Sequence, residues 1–263
     1  MIAIKVGPGS PLKRSLAAAL ALAIVSGCGA TGPAATPTPT TRPSMAPTPR
    51  PSLAAQDIWS FEPLGPIEPG TYFIDPDLDP STPLRVVYEV PAEGWSMWVG
   101  GTKFSDAGHV GVSITTVVNL VRDGCQSSWA DPPVGPSVND LATALAALAP
   151  FQVTSPPTDV TIYGYSGKHL EWTVPDLPVT GEGDDLRFTG CVEGKLKSWV
   201  APFDTAESGD AYYGYTGPGY VEEFWILDVE GTRLMIAGEQ SPGSSAQDIA
   251  ERDSILDSIR IEL

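Results

Sequence analysis

The chain has two histidines, His109 and His169, and each imidazole is a potential general base. His109 closely follows Ser105 and Asp106, which together supply the residue types of a hydrolase triad. No further sequence feature supports a triad built on His109, while His169 falls on the polar side of an alternating stretch. A hydrolase is therefore the third of three functional hypotheses, behind two that involve no catalysis.

Other stretches that begin like catalytic motifs are incomplete. GYSGK (164–168) starts as a nucleophile elbow, but Lys168 replaces the final glycine and a strand pattern follows. The same stretch lacks the upstream glycine and the Ser or Thr after lysine that a phosphate loop requires. Two histidines, with two cysteines that we expect to be paired, cannot supply a typical zinc site. We predict that the protein is not an enzyme and needs no cofactor.

Three aspartates, Asp75, Asp77 and Asp79, alternate in DPDLDP (75–80) like the first ligands of a calcium loop. Pro80 stands where the turn glycine of such a loop belongs, and Val86 stands where its bidentate glutamate belongs. An acidic turn ahead of a strand is the favoured interpretation, and calcium binding by the three aspartates stays an open question.

The stretch DAYYGYTGPGY (210–220) interleaves Tyr212, Tyr213, Tyr215 and Tyr220 with glycine. Exposed rings with polar tips can stack on sugars or anchor a protein partner. The alternative is a long edge loop that folds back over a sheet. We predict a possible binding loop at these four tyrosines, with the exposure of their rings as the discriminating observation.

Residues 1–27 have the organisation of an export signal, with a positively charged head, an apolar run (15–25) and small residues before Cys28. The apolar run is too short for a stable transmembrane helix. Residues 25–28, VSGC, are similar to the lipobox of bacterial lipoproteins, in which the cysteine receives diacylglycerol and becomes the new N-terminus. We predict lipidation of Cys28 and, with a second acyl chain, stable anchoring to the extracytoplasmic face of the cell membrane.

Cys125 and Cys191 are the remaining cysteines, and thiols oxidise outside the cytoplasm. We predict a disulfide between them, which stabilises by roughly 4 kcal/mol in the chain-entropy model. A redox role is disfavoured because the chain has no C-x-x-C motif and neither cysteine has a nearby histidine.

Composition divides the chain after the signal into a tether (28–57) and one folded domain (58–263). The tether is rich in Pro, Thr, Ser and Ala and has almost no large apolar residues, so it cannot bury enough surface to fold. The full chain has a net charge of −17, and removal of residues 1–27 takes away three further positive charges. Electrostatic repulsion excludes nucleic acid as a partner.

Alternating apolar residues predict antiparallel strands within the domain. The clearest are LRVVYEV (84–90), VGVSITTV (110–117), KHLEWTV (168–174) and a hairpin over 222–238 that turns at Glu230-Gly231. Two stretches have helical periodicity and begin with capping serines, Ser137 and Ser245. Because strands and helices are segregated, we predict an α+β fold, an antiparallel sheet flanked by helices.

Three stretches resemble known families: YEVPAEGW (88–95), IYGYSGKHLEWTVP (162–175) and the closing hairpin with its helix (225–262). They look like exported bacterial lipoproteins of actinobacterial or Chloroflexi type. The V-P-x-G-W element and the C-terminal hairpin and helix are also similar to the PsbP-like superfamily, although Glu93 interrupts that element. The resemblance covers most of residues 70–262. It implies an α/β/α sandwich and a non-catalytic accessory role. We interpret Trp95 and Trp98 as core or sheet-edge residues and not as a binding site.

The leading functional hypothesis is a non-catalytic interaction or sensor module that binds another envelope protein. The alternative is a lipoprotein that takes up a glycan or small molecule, either between sheet and helix or on the tyrosine loop. A deep pocket with few converging polar groups would favour ligand capture. A flat aromatic patch would favour a protein partner.

Overall fold

The computed structural model describes residues 54–263 except 80, 107, 127, 183–184 and 203–212. Cys28, Tyr212, the predicted signal and nearly all of the predicted tether lie outside the described residues. The α-helices are α1 (Val138–Ala146) and α2 (Ala246–Asp257). The strands are β1 (Gln56–Asp57), β2 (Pro66–Ile67), β3 (Gly70–Ile74), β4 (Arg85–Val90), β5 (Trp95–Ser96), β6 (Gly100–Ser105), β7 (Gly108–Thr116), β8 (Asn119–Leu120), β9 (Gln152–Ile162), β10 (Tyr165–Thr173), β11 (Val179–Thr180), β12 (Arg187–Phe188), β13 (Leu196–Lys197), β14 (Trp199–Val200), β15 (Gly214–Tyr215), β16 (Val221–Val229), β17 (Thr232–Gln240) and β18 (Arg260–Glu262).

An eight-stranded antiparallel sheet organises the domain, in the order β2-β5-β6-β7-β17-β16-β10-β9. Its centre is the hairpin of β16 and β17, which are joined at Glu230 and Gly231. Both turn residues have positive φ angles, 50° and 91°, as a two-residue type I′ turn requires. The predicted hairpin is confirmed.

A second sheet of four strands, in the order β1-β3-β4-β18, packs against the large sheet. The apolar side chains of β4 meet those of β7 and β17 in one core, together with residues of α2. We call the side of the large sheet that carries Val112, Ile236 and Leu227 the first face. The predicted alternation of Val110, Val112 and Ile114 is therefore confirmed, because all three are buried in this core.

The opposite side of the large sheet, the second face, carries Leu170, Trp172, Phe224 and Ile226. Helix α1 and the short strand pairs β8–β14 and β13–β15 cover it and complete a second core. Both faces are buried because each of the central strands alternates apolar residues of both clusters, as Leu234 to Ala237 do in β17.

Both helices begin where the sequence predicts. The Ser137 side chain accepts a hydrogen bond from the backbone N–H of Asp140, which completes a capping box at α1. Ser245 caps α2 in the same way through the N–H of Asp248. In the described part of the chain, neither helix has the length and apolar character needed to cross a membrane.

The predicted fold class is wrong. Of the residues that the structure describes, 45% lie in strands and 14% in helices, so the protein has a β-rich fold and not a helix-flanked α+β sandwich of the PsbP-like kind. The physical reason is that the two helices are too short to cover the faces of the large sheet. Helices of nine and twelve residues are about 14 Å and 18 Å long, whereas eight strands span about 34 Å. Most of each face is therefore covered by a second sheet or by short strand pairs.

Strand β9 forms one edge of the large sheet and has its side chains largely exposed. Its register with β10 shifts between the pairs His169–Thr158 and Glu171–Ser155, and Pro156 and Pro157 occupy the irregular step. The opposite edge is the two-residue strand β2. Both edges are thus short or interrupted.

The predicted disulfide between Cys125 and Cys191 is confirmed. It joins the loop after β8 to the residue that caps the 3-10 turn Val192–Gly194, just before β13. The backbone N–H of Val192 also donates to the carbonyl oxygen of Cys125 at 3.0 Å. The crosslink therefore holds together two of the segments that cover the second face of the sheet.

Candidate functional site

Two glutamates occupy inward positions at one end of the second face. Glu222 in β16 points to the same side as Phe224, and Glu239 in β17 points to the same side as Ala237. The two glutamates are direct partners in the register of the hairpin. Their exposed fractions are only 1% and 5%. Burying two adjacent carboxyl groups opposes folding unless they are hydrogen-bonded or neutralised.

Tyr215 and two tryptophans surround Glu222. The Tyr215 hydroxyl donates a hydrogen bond to Oε2 of Glu222. The indole N–H groups of Trp172 and Trp199 lie near enough to favour its charged form, but neither completes a hydrogen bond, and Oε1 of Glu222 has no partner among the described residues. Burial, reinforced by the neighbouring Glu239, raises the pKa of Glu222 well above its ordinary value. The neutral acid is therefore favoured at this position.

Glu239 faces two polar side chains of neighbouring strands. Its Oε1 lies 3.5 Å from Nε2 of His109, and the same nitrogen lies 2.6 Å from Oγ1 of Thr102. Gly111 is its register partner on β7, and a Cβ atom there would come within 2.7 Å of Glu239 Oε1. Glycine at this position gives the carboxyl group room to lie flat on the sheet.

The tyrosine segment closes over these groups. The side chain of Tyr213 lies beside Glu239, and burial, followed by the proximity of Glu239 and Glu222, raises the pKa of the Tyr213 hydroxyl well above its ordinary value. The rings of Tyr213 and Tyr215 meet edge to face at 5.6 Å, and those of Tyr215 and Tyr220 do so at 5.5 Å. Burial, and then Glu239, raise the pKa of Tyr220. The three rings form a continuous aromatic wall beside Glu239.

A pocket of about 620 Å³ lies between this wall and strands β6, β7 and β17. Phe104 stacks on His109 with ring centroids 4.5 Å apart and is 65% exposed, which places it at the rim. Few of the lining residues are acidic or basic, and the aromatic side chains outnumber them. The lining residues are Leu64, Trp98, Thr102, Phe104, His109, Lys195, Tyr213, Gly214, Tyr215, Thr216, Tyr220 and Glu239.

The four predicted loop tyrosines have different outcomes. Tyr213, Tyr215 and Tyr220 line the pocket, whereas Tyr212 lies outside the described residues. Tyr215 is buried and the other two are half-buried, so the segment folds back over the sheet instead of projecting from it. Both interpretations of the sequence hold in part, because the folded-back segment itself encloses the pocket.

The residues of the conceivable triad do not come together. Ser105 Oγ donates to Asp248 at 3.1 Å and to the carbonyl oxygen of Gly108, whereas the ring of His109 meets Thr102 and Glu239 on the second face. His169 is separate from them, with its ring 5.3 Å from that of Trp225.

The GYSGK stretch likewise provides no nucleophile elbow. Ser166 lies within β10, which runs from Tyr165 to Thr173, and not at a turn from a strand into a helix.

The acidic loop uses its carboxylates internally. Asp77 accepts hydrogen bonds from the Asp79 backbone and from Thr82, and Asp79 accepts from Ser81. Asp75 pairs with Arg85 at 3.3 Å, and burial together with the neighbouring Asp77 raises its pKa to about 6. Within the described ranges, no group of three His, Cys, Asp or Glu side chains is arranged to hold a metal ion.

Sequence reasoning missed the polar end of the pocket. Glu222, Glu239 and Thr102 were not candidates, His109 was considered only as part of a hydrolase triad, and Trp98 was expected in the core or at a sheet edge. The sequence nevertheless contained a signal for Glu222. In an alternating strand, a charged residue at an inward position is unexpected, and Glu222 continues the inward series of Phe224 and Ile226.

Comparison of the chain with protein-family models, with curated proteins and with solved structures finds no match. The function therefore has to be argued from the pocket itself.

Proposed function

We propose that the protein is a ligand-binding module that takes a small organic molecule into the pocket enclosed by Tyr213, Tyr215 and Tyr220. The observation that carries this proposal is the pocket itself. Its volume of about 620 Å³ falls in the range of about 300–1,000 Å³ typical of small-molecule sites. Tryptophan, phenylalanine and tyrosine supply five of its twelve lining residues, and Thr102, His109 and Glu239 converge at one end. This is the arrangement that fixes the orientation of a small ligand.

Binding without catalysis is the simpler interpretation of these groups. A single ring nitrogen of His109 faces both Thr102 and Glu239, and within the described residues no carboxylate orients the imidazole from its other side, as a hydrolase triad needs. We further propose that the module is exported and attached to the outer face of the membrane through lipid on Cys28. The similarity of VSGC (25–28) to a lipobox supports this part of the proposal.

Recognition of an envelope protein is the second candidate function. Phe104 and Leu64 are 65% and 56% exposed at the rim of the pocket, and exposed apolar side chains of this size can anchor a partner. The ligand-binding interpretation is preferred because Tyr213, Tyr215 and Tyr220 turn inward and do not form a flat exposed patch.

A thermal-shift screen of the full-length protein tests the proposal. The panel contains neutral saccharides, small apolar molecules and organic ammonium ions, and a ligand of the native state must raise the melting temperature with concentration. Tyr220→Ala removes one pocket wall, and its matched control is Tyr165→Ala, a half-buried tyrosine that packs against the other core.

We expect at least one compound to raise the melting temperature of the wild type and of Tyr165→Ala, with the effect lost in Tyr220→Ala. If no compound raises the melting temperature, the proposal is contradicted. Cross-linking of a protein partner to the rim of the pocket is then the next experiment. A hit that Tyr220→Ala retains contradicts the pocket as its site.

A further inference from the structure

We infer that the ligand is an organic cation, whose ammonium group lies against Glu239 and the tyrosine rings. The inference rests on the proposed function and names the ligand class of the same pocket. Three features of the pocket carry it: the carboxyl group of Glu239, which is buried and has no lysine or arginine partner among the described residues, the fixed aromatic rings, and the lack of a metal-ligand cluster in that part of the chain.

The charge balance of the pocket is incomplete. Within the part of the chain that the structure describes, no lysine or arginine forms an ion pair with Glu222 or Glu239. The closest basic group is His109 Nε2, at 3.5 Å from Glu239. Lys195 lines the pocket as well, but it is exposed and makes no ion pair with Glu239. A cationic ligand would supply the missing charge.

Of the two carboxyl groups, Glu239 is the one that a ligand can reach. It lines the pocket, whereas Glu222 lies behind Tyr215. The neutral form of Glu222 is favoured by burial and by the proximity of Glu239. Glu239 is therefore the carboxyl group of the pair that is placed to contact a ligand. A buried carboxylate that meets a cation in a low-dielectric site gains far more than it would in water.

The aromatic wall suits a cation for a second reason. The hydroxyl of Tyr215 is held by Glu222, and the ring of Tyr213 stacks on Trp199 with centroids 4.5 Å apart, so both rings are fixed before any ligand arrives. Fixed ring faces around a carboxylate form the kind of cage that binds quaternary ammonium groups through cation–π attraction. Because the rings are already ordered, little entropy is lost when the ligand binds.

Other ligand classes fit less well. An anion would meet Glu239 and a chain of net charge −17. A metal ion would find no cluster of three ligating side chains among the described residues. A neutral sugar could stack on the tyrosines, but it would leave the buried carboxylate without a counter-charge.

Choline and its uncharged analogue 3,3-dimethylbutan-1-ol test the charge directly, because a carbon atom replaces the nitrogen with almost no change in shape. Titrations of the full-length protein are followed by tryptophan fluorescence and calorimetry, with tetramethylammonium and benzyltrimethylammonium as further cations. We expect the neutral analogue to bind at least about tenfold more weakly than choline, the difference that one desolvated charge contact supplies. This comparison uses only the wild-type protein.

Two variants locate the contact. Glu239→Gln keeps the shape of the side chain and removes its charge, and we expect it to abolish the preference for choline over the neutral analogue. Glu223→Gln is the matched control, because Glu223 lies on the adjacent strand and points to the opposite face. The control should keep the wild-type preference.

The outcomes separate the two proposals. If none of the cations binds while a neutral compound raises the melting temperature through Tyr220, the pocket is a ligand site but the inference of a cation is overturned. Equal binding of choline and its neutral analogue overturns it as well. If neither cations nor neutral compounds bind, the proposed function itself fails.

Discussion

Glu222 and Glu239 lie directly opposite each other on β16 and β17, buried on a face of the sheet that is otherwise largely apolar. Neither is paired with a lysine or arginine among the described residues. Instead, the Tyr215 hydroxyl donates a hydrogen bond to Glu222, and the side chain of Tyr213 lies beside Glu239. Such a pair is a cost to folding that a purely structural hairpin would not need. We interpret it as the functional end of the pocket.

The first prediction concerns Glu222→Gln. Because the pKa of Glu222 is raised in the folded protein, the native state holds this proton more tightly than the unfolded chain does. The stabilisation that this proton gives the folded state is complete below the ordinary pKa of 4.5. It is lost as the pH rises through the pKa that Glu222 has in the folded protein. The advantage of Glu222→Gln should therefore grow by up to about 1.4 kcal/mol per pH unit across that window.

Urea denaturation at a series of pH values between about 5 and 8 measures this difference. Glu230→Gln, at the exposed turn of the same hairpin, is the control and should show no such trend. A free-energy difference between Glu222→Gln and the wild type that does not change with pH would show that Glu222 is charged throughout.

The second prediction concerns Lys103, which ties β6 to α2. Its Nζ lies 2.9 Å from Asp248 and 2.6 Å from Glu251, and all three side chains are largely buried. Burial alone would lower the pKa of Lys103, but its hydrogen bonds to the two carboxylates raise it, and the pKa values of Asp248 and Glu251 are lowered. Lys103→Met should cost about 2–3 kcal/mol of stability at neutral pH.

The loss should shrink in acid. A carboxylate with a lowered pKa stabilises the fold above its unfolded pKa, and that contribution disappears as the pH falls through the folded pKa. Lys168→Met is the control, because Lys168 pairs at 2.8 Å with Asp159, whose side chain is 91% exposed. It should cost less than about 1 kcal/mol. Equal losses for the two variants in urea denaturation would refute the prediction.

The third prediction concerns the disulfide, which spans 66 residues. Replacing Cys125 and Cys191 together by alanine should lower the free energy of unfolding by roughly 4 kcal/mol in the chain-entropy model. The second face should loosen first, because the crosslink joins two segments that cover it. Urea denaturation of the variant is compared with that of the reduced wild type, and the two should agree. A loss below about 1 kcal/mol would mean that the unfolded chain is already constrained.

The fourth prediction concerns Cys28. If it carries the lipid, the mature wild-type protein should begin at Cys28 and carry the mass of the acyl groups there, and Cys28→Ser should lose that added mass in mass spectrometry. Ser26→Ala keeps a small residue two positions before the cysteine and serves as the control, with the added mass unchanged. A wild-type Cys28 without acyl mass would exclude this cysteine as the anchor.

Local structure was predictable wherever a repeating pattern existed. The hairpin at Glu230-Gly231 and the helix starts at Ser137 and Ser245 are all confirmed, because each depends on chemistry within a few residues. The fold class was not predictable in the same way. Strands as short as β8, β13 and β14 have no measurable periodicity, and they form only against a surface that is already folded.

The pocket was only half predictable. The spacing of aromatic residues and glycines singled out Tyr213, Tyr215 and Tyr220, which lie within one short stretch of sequence. Their polar counterparts come from β6, β7 and β17, and only the pairing of those strands brings Thr102, His109 and Glu239 together. Contacts of that kind depend on register, which no single strand specifies.

The interrupted edge strand β9 determines how this domain can meet other chains. Pro156 and Pro157 lack the N–H groups that an incoming strand would need, and the far edge offers only the two residues of β2. Addition of a foreign strand to the large sheet is therefore disfavoured at the interrupted step of β9 and at the short β2. Where many copies are crowded together, this sheet offers little continuous backbone for templated pairing, and contacts at these two edges are left mainly to side chains.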